Sequence, residues 1–415
     1  LYSLIFHLAT PLILLRLIWR ARKQPEYLHH LGERWGFYSA QPSQPLIWVH
    51  AVSVGETRAA QPLIEGLKAQ WPDHQIRRTG MTPTGRAAGH EVYGAQVIQA
   101  YLPYDTLGAV NRFFDHFSPE FGVMMETEIW PNLIATSRRR NIPLILANAR
   151  LSARSAKGYS KISSLAKPAF AALSATAAQT AQDAQRLAQL GASPLEVCGN
   201  IKFDVTPPDE KLQLGQAWRN PLNGRPTWLA ASTREGEEAL VLKAWRQLAM
   251  PEVLLIFVPR HPQRFAEVAD LLRSEGLNYQ RRSDRLPSTD TQVWLGDSMG
   301  EMAAYFAMAD LAFIGGSLLP LGGQNLIEAA ACGCPVLIGP HTFNFTQATE
   351  DAISAGAARR VLDAKDLAEQ ARRLLNNQRE LLAMRQAALG FAAEHRGATR
   401  KTLDLIARAT GQAAH

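Results

Sequence analysis

Cysteine is scarce in this 415-residue chain: Cys198, Cys332 and Cys334 are the whole complement, at no metal-site spacing. The closest pair, Cys332-Gly333-Cys334, is too tight for an unstrained disulfide. Neither a zinc module nor a disulfide framework is therefore expected, and reduced thiols in a cytosolic compartment are. Internal repeats and low-complexity tracts are also missing. Charged residues make up 20% of the chain, with no dense Lys/Arg helix interleaved with aromatics and no RNA-binding signature, so nucleic acid is not the expected partner. The net charge of +7 favours acidic partners such as anionic lipid, phosphate or nucleotide. What is abundant is apolar: 47% of residues are hydrophobic, as in a globular protein. The chain is too long for one ordinary core, and two domains of about 150–200 residues each are expected.

The N-terminus departs from that globular pattern. Leu1 to Trp19 is apolar except for Ser3, His7, Thr10 and Arg16, and Arg20, Arg22 and Lys23 follow. No small-residue cleavage site comes after it, so a removable signal peptide is not expected. Residues 1–23 read as an uncleaved anchor, crossing the bilayer or lying in its surface, with the next domain on the cytoplasmic side of the basic flank.

Beyond Pro42 and Pro45, short apolar strands alternate with helices. Strands are expected at 46–49, within 95–101, at 121–125, 143–147 and 175–180; helices at 57–70, after a Gly-Glu turn, and at 131–140. Polar residues with Pro207-Pro208 follow, marking a linker over 206–223. The pattern then restarts, with strands at 227–231, 253–258, 293–295, 311–314 and 335–338. Its helices fall at 236–247, 265–275, 302–308 and 325–332. The boundaries are thus a domain over 24–205, a second over 224–390, and a C-terminal helix over 391–415 that returns to the first. Such alternation predicts parallel sheets covered on both faces, α/β in class. Two Rossmann-like domains facing a cleft are expected, with ligands at the C-terminal ends of their strands.

The richest segment is Gly315-Gly316-Ser317, followed by Gly322-Gly323-Gln324-Asn325-Leu326-Ile327-Glu328 and Gly339-Pro340. Glycine lets backbone approach a ligand, and a helix N-terminus presents unpaired N–H groups to phosphate. Asn325 and Glu328 share one helical face; the carboxylate suits a ribose diol and the amide phosphate or sugar oxygens. Pro259-Arg260 ends another strand with a cation placed for phosphate. Met299-Gly300-Glu301 ends the next, where backbone groups suit a base edge.

In the first half, Ser53-Val54-Gly55-Glu56 follows a strand directly. Glu56 is either a capping carboxylate or a general base. Glu126 and Glu128 leave a second strand ahead of Pro131, at the N1 position of a helix. Thr82, Thr84 and Gly85 form a hydroxyl-rich turn, and Arg150 and Arg154 lie in a serine-rich one suited to anionic groups. Lys202, just before the linker, carries a weak signal by itself.

Together these stretches resemble the 3-deoxy-D-manno-octulosonic acid (Kdo) transferases of lipopolysaccharide biosynthesis. The similarity runs from Glu33-Arg34-Trp35-Gly36-Phe37-Tyr38 to Gly339-Pro340-His341-Thr342-Phe343-Asn344-Phe345. It implies the GT-B fold, with an acceptor-binding N-terminal half and a CMP-sugar-binding C-terminal half. It further implies inverting, metal-independent transfer of Kdo from CMP-Kdo to a lipid A precursor at the cytoplasmic face of the inner membrane, without a cofactor. By motif match, Glu56 is implied as the base, with Glu126 and Lys202 as transition-state stabilisers. Pro259, Arg260, Met299, Gly300, Glu301 and residues 325–328 are implied as the CMP site, beside Gly316 and Ser317. Ser53, Gly55, Thr82, Thr84, Gly85, Arg150 and Arg154 belong to the acceptor side.

Two departures from the resemblance stand out. Gln324 replaces a common histidine, and Arg77-Arg78 replaces an apolar, threonine-rich run. Arginine is costly in a buried strand, so either that strand lies at an edge or the local structure differs. Two other readings compete: a GT-B enzyme acting on a UDP-sugar, as transferase or 2-epimerase, and a membrane-attached nucleotide sensor in which Glu56 is only a cap.

Overall fold

The computed structural model describes residues 2–22, 24–39, 42–204 and 206–411. Leu1 and Lys23 of the expected anchor, Val205 at the expected domain end and residues 412–415 of the expected last helix lie outside the described residues. The chain forms two compact units, Leu1–Asp204 with His395–His415, and Val205–Glu394.

The first unit holds a seven-stranded sheet in the order β3-β2-β1-β4-β5-β6-β7. Its strands are β1 Leu46–His50, β2 Gln75–Gly80, β3 Ile98–Tyr101, β4 Phe121–Met125, β5 Leu144–Ala149, β6 Ala175–Ala178 and β7 Leu195–Val197. Every neighbouring pair is parallel. β1, β4 and β5 are buried along their whole length, as strands covered by helices on both faces must be. One face packs Ile47, Val49, Phe121, Val123 and Ile145 against helices that include Leu405 and Ile406 of Ala398–Thr410. The other packs Trp48, Met124 and Leu146 against Phe113, Phe114 and Phe117.

The second unit repeats the plan in the order β10-β11-β9-β8-β12-β13-β14. Its strands are β8 Thr227–Thr233, β9 Leu254–Pro259, β10 Tyr279–Arg281, β11 Val293–Leu295, β12 Leu311–Ile314, β13 Val336–Ile338 and β14 Ala358–Arg360. In both sheets the order reverses beside the first strand, between β1 and β4 and between β8 and β12. These are the switch points where open α/β sheets take ligands.

Some expectations need correction. Residues 206–223, marked by composition as a linker, contain helix Asp209–Arg219, whose Trp218 is buried against Trp294 and Tyr305. Polarity there reflects the exposed face of that helix. The stretch with Arg77 and Arg78 is an inner strand with both arginines buried, so neither an edge position nor a break explains them. The Gly-Glu pair at 55–56 lies within helix Val54–Ala59, because Ser53 caps that helix and starts it three residues earlier than the turn reading placed it. A separate helix, Gln61–Gln70, then begins with proline in its first turn. Helix Tyr2–Ala21 is formed, and among the described residues no helix is long and apolar enough to cross a membrane.

Candidate active site

At the end of β1 the chain turns through Ala51 and Val52 into helix Val54–Ala59. Ser53 is its N-cap: Oγ accepts from the Glu56 N–H at 3.2 Å and donates to Glu56 Oε1 at 2.9 Å. The Val52 N–H donates to Glu56 Oε2 at 2.9 Å. This is a capping box displaced by one residue, so the capping role of Glu56 is real. It does not exhaust the carboxylate, because each oxygen has a second lone pair. Burial pushes the Glu56 carboxyl above its ordinary range, the Glu126 charge adds to this, and the Val52 N–H, the Ser53 hydroxyl and Lys202 oppose it. A raised carboxyl is nearer to neutral pH, where a general base works best. A Cβ added at the neighbouring, exposed Gly55 would meet only Ser53 Oγ, at 3.8 Å, so the chain is uncrowded there.

β4, next to β1, delivers the second element. Glu126 follows it directly with φ of 60°, a left-handed conformation uncommon outside glycine and typical of strained functional turns. Its Oε1 accepts from Lys202 Nζ at 2.9 Å. Lys202 sits on a single 3-10 turn, Ile201–Phe203, whose flanking side chains are buried. The Asn200 side chain accepts from the Lys202 N–H and Asn148 Oδ1 accepts from the Ile201 N–H, each at 3.0 Å. Asn148, at φ of 52°, was not singled out by sequence, because its part is to seat another residue's turn.

Glu128 also gains weight from the structure. Its Oε2 accepts from the Trp130 indole N–H at 2.9 Å. Burial, then the Glu56 and Glu126 charges, push its carboxyl up to about 7, against the pull of the indole. The first unit thus gathers three carboxylates and one ammonium at its switch point. Thr82 caps helix Pro83–Tyr93 through the Gly85 N–H, and Thr84 is exposed beside it. Arg150 and Arg154 are both exposed, and the Arg150 carbonyl accepts from Thr127.

In the second unit, a pocket lies at the ends of β8, β9 and β12, lined by Ser232, Arg260, Gln324, Asn325, Glu328 and Phe345 among others. Sequence had not picked out Ser232 and had given Phe345, quoted only in a motif, no site role; Ser232 holds φ of 55°, and no residue-type signal marks that. Asn325 Oδ1 accepts from the Ile327 N–H, so the helix there is Ile327–Ala331, shorter than expected. The glycine-loop reading needs correcting. The N–H groups of Gly316, Ser317 and Leu318 all donate to the buried carboxylate of Glu237, which also accepts from the Arg234 N–H. Those amides are spent inside the protein and are not open to phosphate. Gly300 has φ of 73°, Met299 is exposed, and Glu301 accepts from Arg282 at 3.1 Å. Pro259 closes β9, and the Arg260 N–H donates to the Thr233 carbonyl.

Among the described residues, no group of three or more His, Cys, Asp or Glu side chains is arranged to hold a metal ion, and the three cysteines are free.

Comparison with known proteins gives the family of both units. Residues 29–205 match the family described as 3-deoxy-D-manno-octulosonic-acid transferase (kdotransferase), and residues 239–390 match glycosyl transferases group 1. The 3-deoxy-D-manno-octulosonic acid transferase of Bordetella pertussis is 44% identical over 421 residues, covering 98% of each chain. The enzyme of the same name from Haemophilus influenzae is 40% identical over 418 residues, covering 98% of this chain and 97% of its own. A solved UDP-GlcNAc 2-epimerase from Neisseria meningitidis, bound to UDP-GlcNAc, has a TM-score of 0.59 at 14% identity, covering 88% of this chain and 100% of its own. At that identity the likeness establishes the two-domain GT-B fold alone. With both halves matched and the similarity running nearly end to end, this chain belongs to the 3-deoxy-D-manno-octulosonic acid transferases, which are glycosyltransferases.

Proposed function

We propose that this protein transfers Kdo from CMP-Kdo to a sugar hydroxyl of a lipid A precursor, with Glu56 as the general base. The observation that carries the reading is the placement of a half-buried, raised carboxylate next to the exposed Gly55 at the β1/β4 switch point, in the same unit as the Glu126–Lys202 pair. A sugar hydroxyl is a weak nucleophile unless its proton leaves as the new bond forms. Glu56 takes that proton while the oxygen bonds to the anomeric carbon of Kdo. The bond from that carbon to the CMP phosphate oxygen breaks, and the electron pair leaves with CMP. Lys202, oriented by Glu126, supplies positive charge for the negative charge that develops in transfer. In the second unit, Arg260 meets phosphate charge, and Asn325 and Glu328 suit sugar hydroxyls.

The acceptor is a lipid, and helix Tyr2–Ala21 supports a membrane-surface location at the cytoplasmic face. Leu8, Leu12, Leu15 and Trp19 are 72%, 68%, 62% and 63% exposed, at the spacing of one helical stripe. Arg16, Arg20 and Arg22 are in reach of anionic headgroups, the composition of a helix that lies in the interface plane.

Incubation with CMP-Kdo and lipid A precursor, followed by mass spectrometry, tests the reaction; the product gains one or more Kdo residues. Glu56→Gln keeps the cap's shape and loses the base, so transfer falls by roughly 10²–10⁴ while CMP affinity is unchanged. Near-normal turnover of Glu56→Gln removes this residue from the base role. Calorimetric binding of UDP in preference to CMP rejects the donor assignment.

A further inference from the structure

β2 lies between β1 and β3, and Arg78 points from it to the underside of the loop that carries Glu56. Its side chain is fully buried. Nη2 donates to the Ala51 carbonyl at 2.8 Å and to Thr57 Oγ1, while Nη1 donates to Gln99 Oε1 at 2.7 Å. Thr57 Oγ1 passes the connection on, donating to the Ser53 carbonyl at 2.7 Å, and Ser53 is the residue whose hydroxyl holds Glu56. Tyr93 fixes the same threonine by donating from its hydroxyl to the Thr57 carbonyl. One guanidinium therefore grips both ends of the segment from Ala51 to Thr57.

The surroundings are shaped to admit it. Gly89, inside helix Pro83–Tyr93, would place a Cβ 2.3 Å from Gln99 Oε1 and 2.8 Å from Arg78 Nη1; at Gly80 a Cβ would lie 3.1 Å from Nη2. A mid-helix glycine is unfavourable by about 1 kcal/mol against alanine, and here it clears the space for the Arg78–Gln99 pair. The three side-chain and carbonyl partners of Arg78 are neutral, an expensive way to bury a charge, so the cation is not there as half of a stabilising ion pair.

We infer that Arg78 is a positioning residue for the transfer reaction, clamping the Ala51–Thr57 loop so that Glu56 is held at a fixed place beside the acceptor. This rests on the reading of Glu56 as base. The Glu56 charge in turn favours the charged form of Arg78, while Lys202 and Glu126 act on Glu56 in opposite directions and Glu128 faces both carboxylates.

Transfer is measured against pH for wild type, Arg78→Met, Arg78→Lys, Thr57→Val and Glu56→Gln, with thermal unfolding of each. Arg78→Met is expected to lower kcat about 10–100-fold, the scale of a small misplacement of a catalytic group, with KM for CMP-Kdo unchanged. It is also expected to move the acid limb of kcat to higher pH, because a neighbouring cation favours the ionised carboxylate. Arg78→Lys keeps the charge, so its acid limb stays at the wild-type position. A purely structural role would lower the Tm and the active fraction without moving that limb. Wild-type kcat in Arg78→Met, or a limb displaced equally in Arg78→Lys, overturns the inference. Should Arg78→Met fail to fold, Thr57→Val decides: it removes the hydroxyl that links Arg78 to Ser53, and a wild-type kcat there also overturns it. Near-normal Glu56→Gln removes the base reading itself, whereas inactive Glu56→Gln beside fully active Arg78→Met and Thr57→Val rejects the clamp alone.

Discussion

Carboxylates at the first switch point differ in what holds them, and the difference sets their tasks. Glu56 is raised by burial but tied by two hydrogen bonds, Glu126 is paired to Lys202, and Glu128 has one indole partner and is pushed up to about 7. Glu128 is therefore close to half-protonated at neutral pH. Because its folded pKa lies above the ordinary value of 4.5, the folded state holds its proton more tightly than the unfolded chain does. Stability is thus lost as pH rises from about 4.5 to 7. Glu128→Gln removes that loss and is expected to stabilise the protein by about 1–3 kcal/mol at pH 8, with little gain at pH 4. Denaturant midpoints at the two pH values check this, and an equal change at both would exclude the titration. In the second unit, Arg260→Ala is expected to weaken CMP binding by about 1.5–3 kcal/mol, the range of charge-assisted hydrogen bonds; calorimetry showing unchanged affinity takes Arg260 out of the phosphate site. The positions of Glu56, Glu126 and the Arg260 loop were legible because each lies at or just beyond a strand end, Glu56 in the first turn of the helix after β1, and strand ends are where parallel sheets place their chemistry. Glu237 was not: a glutamate at a helix start reads as an ordinary dipole partner, and only packing brings the amides of residues 316–318 to it.

The elements show a similar division. Strands buried on both faces announce themselves as apolar runs, so β1, β4, β11 and β12 were found within a residue of their observed ends. β2 was opaque because Gln75-Ile76-Arg77-Arg78-Thr79-Gly80 has no apolar run, and its arginines are accommodated by partners distant in sequence: Gln99, Thr57 and the ring of Phe117, 4.1 Å from the Arg77 guanidinium. Gly89 of helix Pro83–Tyr93 was equally mute. Gly89→Ala improves intrinsic helix propensity, yet the added Cβ would strike Gln99 and Arg78. The expected result is a net destabilisation of roughly 1–3 kcal/mol, the usual penalty of overpacking, read by chemical denaturation. A stabilised variant would show that the pocket around Arg78 yields easily. For helix Tyr2–Ala21, replacing Arg16, Arg20 and Arg22 by glutamine is expected to weaken binding to anionic vesicles by on the order of 1 kcal/mol per residue. Neutral vesicles should show little change, and unchanged binding to anionic vesicles would assign the binding to the leucine stripe alone.

At the scale of the whole molecule, the chain leaves the first unit after Asp204 and re-enters it at His395. The return is anchored locally: the Gly397 and Thr399 N–H groups donate to the Asp204 carboxylate, and the His395 ring stacks on Phe203 at 4.7 Å between centroids. Helix Ala398–Thr410 then supplies Ala398, Leu405, Ile406 and Ala407 to a core shared with β1, β4, β5 and β6. The helix that ends the sequence is thus a structural part of the unit that begins it, next to the turn that seats Lys202. Deleting residues 396–415 strips that core face, and a buried leucine or isoleucine alone contributes about 1.5–3 kcal/mol. The first unit is expected to lose cooperative unfolding, and transfer with it, because Glu56, Glu126 and Lys202 all belong there. The second unit keeps its own sheet, its own core and its lined pocket, so CMP binding to the truncated chain should stay within about twofold of the full chain, well under the 1.4 kcal/mol of a tenfold change. Calorimetric unfolding should resolve a single remaining transition that CMP shifts upward. Loss of CMP affinity together with transfer would mean that the two units do not hold their structures separately, and the assignment of nucleotide binding to the second unit by itself would fall.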